Sequence, residues 1–72
     1  MKTFTAYVEY DQETKLYVGS VPGLPGAHTQ AATLDELREN LREVIELCIE
    51  ELGGEIGDLP TFVGFQQIEV AV

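Results

Sequence analysis

The chain is poor in the residues that most site chemistry requires. Its 72 residues hold one cysteine, one histidine, one serine and no tryptophan. A lone cysteine excludes an internal disulfide, and one cysteine with one histidine falls short of a zinc-ligand set. His28 is followed by Thr29 and Gln30, with no second histidine or cysteine nearby to complete a metal site. Ser20 precedes the Val21-Pro22 turn and belongs to no nucleophile motif. Basic residues are equally scarce: four Lys and Arg stand against thirteen Asp and Glu, a net charge of −9. That imbalance argues against direct nucleic-acid binding, which needs a basic patch to neutralise phosphates, and equally against anionic membrane surfaces. It permits electrostatic attraction to a basic protein. No apolar run approaches the ~20 residues that span a bilayer. Met1-Lys2 leads directly into alternating strand sequence without the pattern of a signal peptide, so the expected location is the cytoplasm.

Apolar residues make up 44% of the chain, enough for one two-layer core and too much for a disordered polymer. A domain of this size buries only ~60% of the surface its unfolded chain exposes. With no disulfide or metal to compensate, self-association is the usual remedy, and a homo-oligomer (dimer or higher) is expected.

One helix is unmistakable. Thr33 followed three residues later by Glu36 reads as a capping box, and Gly53-Gly54 marks a C-terminal stop. Between them Leu34, Leu37, Leu41, Val44, Ile45, Cys48, Ile49 and Leu52 recur at the helical period, within an arc of roughly 140°. Such a stripe suits a helix laid on a sheet, and Cys48 on it reads as a small core residue. The opposite side carries Asp35, Glu36, Glu39, Glu43, Glu46, Glu50 and Glu51. Leu47 stands out among these carboxylates, ~60° outside the apolar arc.

Strands account for the rest. Lys2 to Tyr10 alternates Phe4, Ala6, Val8 and Tyr10 against Thr3, Thr5, Tyr7 and Glu9. Asp11 to Thr14 forms a short polar loop, and Lys15 to Val21 returns as a second strand, with Leu16 and Val18 on one face and Tyr17 on the other. The run Pro22-Gly23-Leu24-Pro25-Gly26 forbids regular pairing and reads as a rigid corner. It lacks the Gly-Lys-Ser/Thr ending of a phosphate loop, and its prolines remove amide donors. Ala27 to Ala31 is a short third strand. Thr61 to Val72 reads as a last strand whose alternation slips phase near Gln66-Gln67, from Val63 and Phe65 at odd positions to Ile68, Val70 and Val72 at even ones. The expected fold is α+β, a two-layer β-β-β-α-β domain spanning residues 1–72, its antiparallel-rich sheet covered by one helix on one face. The other face carries Tyr7, Tyr17, Thr3, Thr5 and Glu9. The phase slip together with exposed Leu47 points to Leu47, Phe62, Val63 and Phe65 as a subunit interface.

No catalytic constellation can be assembled. Glu9, Asp11, Glu13 and Glu69 are the only carboxylates on or near strands, too scattered for a metal-dependent nuclease. Neither a catalytic residue, a metal nor a cofactor is expected.

Residues 3 to 52 resemble the N-terminal domain of the HicB antitoxin family. Tyr17-Val18 leading to Val21-Pro22, then Leu24-Pro25-Gly26, His28-Thr29-Gln30 and the Thr33-capped helix with Glu36-Leu37 carry the likeness. The resemblance implies a truncated RNase H-like fold without a catalytic carboxylate set. It also implies an antitoxin that sterically neutralises a small basic RNA-cleaving toxin of the HicA family, and an alternative is a stand-alone interaction module with no toxin. Many members carry a C-terminal DNA-binding domain, and none is expected here. Ala27 departs from the family, which often has cysteine there, and Ala31-Ala32 replaces a glycine-containing lead into the helix. On this reading the partner-binding residues are Leu24 and His28 on the exposed corner, with Tyr7 and Tyr17 as aromatic anchors.

Overall fold

The computed structural model describes residues 2–72 and shows three antiparallel strands followed by one helix, in an α+β arrangement. Strands β1 (Tyr7–Asp11), β2 (Leu16–Ser20) and β3 (His28–Ala31) lie in the order β1-β2-β3, so consecutive segments are neighbours in the sheet. The hairpin between β1 and β2 closes where Asp11 pairs with Leu16. The Asp11 carboxylate accepts from the Glu13 amide at 2.9 Å, the Lys15 amide donates to the Asp11 carbonyl at 2.8 Å, and Lys15 takes the left-handed φ of 62° that ends the turn.

Helix α1 (Leu34–Glu51) begins where the sequence signals it. The Thr33 hydroxyl accepts from the Glu36 amide at 3.1 Å, and Asp35 and Glu36 sit in the first turn, where the helix dipole favours them. Gly53 and Gly54 adopt φ of 69° and 82°, and their amides return to the Glu50 and Ile49 carbonyls, which closes the helix end. Asn40 adds a tether to the sheet, its amide donating to the Gln30 carbonyl at 3.3 Å.

The core has two parts. Ala31, Leu37 and Leu41 form one, with Ala6, Tyr17 and Val44 against it; Leu37 is the most deeply buried side chain, at 1% exposure. The other comprises Val21, Leu24, Ala27 and Cys48, packed by Phe4, Ala6, Val44, Ile45, Ile56 and Leu59. A Cβ placed on Gly19 would lie 3.0 Å from Leu41 Cδ1, so this glycine lets the helix approach the sheet and marks the covered face.

Three expectations need correction. Tyr17 lies on the covered face, directly opposite Tyr10 in the register and packed beside Leu37 and Leu41. Its ring follows the phase of Gly19, two residues on, so Leu16 and Val18 take the outer face instead. Leu24 is 4% exposed, a core residue rather than an exposed corner contact. The corner folds back on itself through the Leu24 amide to the Val21 carbonyl and the Ala27 amide to the Leu24 carbonyl. That inward turn makes Leu24 a plug against Cys48 at one end of the core.

The third correction concerns the chain ends. Thr61 to Val72 forms no strand with the rest of the chain, and among the described residues no backbone hydrogen bond is made by residues 56–72. Residues 2–6 likewise run beside the body without pairing, because β2 stops at Ser20 and the Val21-Pro22 turn offers no further ladder. The radius of gyration is 14.1 Å. A compact chain of this length would have roughly 11 Å. The difference lies in the C-terminal segment, whose residues 61–72 are all exposed.

Candidate functional site

Three surfaces could support a function. The first is the outer face of the sheet. Tyr7 pairs with Ser20, and Ser20 pairs with His28, so the three occupy one row across the strands. Their alternation places them opposite Gly19, facing away from the helix. Two strand spacings put Tyr7 and His28 roughly 10 Å apart on this row. Two of the four residues expected to contact a partner, Tyr7 and His28, are therefore exposed on one face; Tyr17 and Leu24 are turned into the core.

Part of the C-terminal segment joins that face. Phe62 and Phe65 meet the Tyr7 ring edge-on, at centroid distances of 6.0 and 5.8 Å, and each other at 5.4 Å. Of the four residues expected at a subunit interface, these two cluster with Tyr7. Leu47, 58% exposed, stands elsewhere, on the helix among Glu43, Glu50 and Glu51 at its i−4, i+3 and i+4 positions, and Val63 points to solvent.

The second surface is the outer side of α1. Glu36, Glu39, Glu43, Glu46 and Glu50 are all exposed. Their spacing of three, four, three and four residues aligns them in one stripe about 21 Å long, at 1.5 Å per residue. The helix arginines, Arg38 and Arg42, belong to its other flank.

That flank forms the third surface, which the sequence did not disclose. The helix packs on β3 and β2, with no comparable contact to β1. The inner side of β1 and the segment before it therefore stay open, as one wall of an apolar groove of about 840 Å³. Phe4, Ala6 and Val8 line this wall, and Leu34, Ile45 and Ile49 line the helix side. Lys2, Arg38 and Arg42, three of the chain's four basic residues, edge the groove together with Asp35 and Glu46. The 140° apolar arc was the signal available in the sequence: it is wider than the two strands beneath the helix can cover.

Among the described residues, no three His, Cys, Asp or Glu side chains are grouped to hold a metal ion, and no helix is long and apolar enough to cross a membrane. What these surfaces define is a small α+β domain presenting an acidic helix stripe, an aromatic outer sheet face and an unfilled apolar groove. The chain belongs to the UPF0150-like family, whose model matches residues 4–50, from the first strand segment almost to the helix end. It is 55% identical over 69 residues to a UPF0150 protein of Thermotoga maritima, covering 96% of this chain and 91% of that one. A UPF0150 protein of Archaeoglobus fulgidus is 46% identical over 68 residues, and one of Synechocystis 42% identical over 67, each with 93% of both chains covered. No solved structure matches the chain.

Proposed function

We propose that this domain is a HicB-like antitoxin-type module, built on a truncated RNase H-like scaffold, that neutralises a small basic RNA-cleaving protein by covering its RNA-binding surface. The acidic stripe on α1 is the observation that carries this reading. Carboxylates at i and i+4 repel, and Glu39 with Glu43 and Glu46 with Glu50 each cost the helix about 0.2–0.5 kcal/mol. A helix serving only to cover a sheet gains nothing from aligning five like charges. A partner that binds RNA presents rows of Lys and Arg spaced for phosphates, and a rigid row of carboxylates complements it. The outer sheet face, with Tyr7 and His28, is a further contact surface for the same partner.

The stand-alone reading, in which the chain self-associates without a toxin, is favoured by a different observation, the exposed apolar segment from Val63 to Val72. The deciding experiment uses a small basic RNA-cleaving protein of the HicA type, sought in the reading frames adjacent to that of this chain. Mixed one to one, the pair should co-purify, and RNA cleavage by the basic protein should cease. Undiminished cleavage at a several-fold excess of this chain would overturn the antitoxin reading.

A further inference from the structure

The end of the chain and the groove are each incomplete, and their shapes correspond. From Gln67 the sequence alternates strictly, with Ile68 and Val70 on one side and Gln67, Glu69 and Ala71 on the other. Ile68 and Val70 are 72% and 69% exposed, and among the described residues their backbone amides have no backbone partner. An alternating strand with one apolar face is not a stable solvent structure; it needs a ladder to pair with and an apolar surface to cover. Edge strand β1 offers the ladder, since among the described residues only β2 pairs with it and its other edge is free. A strand added there would lay alternate side chains over the groove that Phe4, Val8, Ile45 and Ile49 leave open.

In the single chain the tail does not take up this pairing. Phe62 and Phe65 lie on Tyr7, on the sheet face opposite the groove, and residues 66–72 make no backbone hydrogen bond among the described residues.

We infer that residues 67–72 form the fourth strand of a second copy, pairing with the free edge of its β1 and filling its groove with Ile68 and Val70, while that copy's tail does the same in return. The exchange is isologous, closes at two chains and leaves no free tail. It takes up the self-association named above and is independent of any toxin. Glu36, Glu39, Glu43 and Glu50 of each acidic stripe stay on the outside of the dimer, and Glu46 borders the filled groove.

The test mixes equal parts of isotopically labelled and unlabelled chain, unfolded together and refolded, and records filtered NOEs along with the solution mass. The expected result is a mass of twice 7.9 kDa, with intermolecular NOEs from the Ile68 and Val70 methyls to Phe4 and Val8. The same NOEs found only within one chain would show a strand completed in cis and overturn the exchange. A dimer without those NOEs would overturn it too, leaving self-association standing through another surface; a monomer would remove both. Changing Ile68→Asp together with Val70→Asp should weaken dimerisation by at least roughly a hundredfold, about tenfold for each aliphatic side chain no longer buried. Both positions are exposed in the single chain, so helix content by circular dichroism should be unchanged; Glu69→Gln, on the opposite side of the strand, should leave the dimer intact. An unaltered dimer in the double variant would contradict the inference.

Discussion

Gly19 and Gly23 fix how closely the layers and loops approach. At Gly19 the nearest atoms belong to Leu41, a buried side chain whose Cδ1 would lie 3.0 Å from an added Cβ. Gly19→Val is expected to destabilise the fold by about 1–3 kcal/mol through overpacking, read as a lower urea midpoint; an unchanged midpoint would mean the helix sits further from the sheet. Gly23 has a stricter requirement. Its φ is +83°, and a Cβ there would lie 2.6 Å from Pro60 Cδ, so Gly23→Ala combines backbone strain with a clash against the segment following the helix. Thr33→Ala should cost about 1 kcal/mol by leaving the Glu36 amide unpartnered at the helix start, measured by thermal unfolding. Residue type revealed the cap and the glycine corner but not the direction of Leu24. A leucine between two Pro-Gly pairs reads as a loop tip, and only the hydrogen bonds that fold the corner inward make it a plug.

At the scale of elements, α1 was legible almost to the residue, because periodicity, an N-cap and a glycine stop all agree over eighteen residues. The hairpin was legible in its turn, though not in which face Tyr17 takes. That face is decided by where the helix comes closest, at Gly19, and alternation alone leaves the two faces of a strand equivalent. The helix also allows its structural and recognition roles to be separated. Replacing Glu43 and Glu50 by Gln removes the repulsion with Glu39 and Glu46, so the helix should gain about 0.2–0.5 kcal/mol per pair. If the stripe serves a basic partner, the same variant should bind that partner more slowly and with a shallower salt dependence. A variant that is more stable and binds unchanged would reduce the stripe to a solvated surface.

At the scale of the molecule, the fourth strand was expected from sequence, and its alternation is real, but pairing is a property of the whole assembly. Nothing in residues 61–72 specifies whether the partner ladder lies in the same chain. The break after Phe65 shows why the two halves of this segment behave differently: the aromatic half is anchored on Tyr7, and the aliphatic half is left with no surface of its own. The free edge of β1, the open groove and the exposed tail then have a single cause. One chain supplies three strands and one helix, and on the inferred exchange its two layers are completed by the tail of a second copy. The most direct measurement of that completion is amide hydrogen exchange as a function of protein concentration. Residues 67–72 should be protected in the micromolar range, with protection that rises on concentration in parallel with that of residues 3–11. Exchange of residues 67–72 at free-peptide rates at every concentration would contradict it.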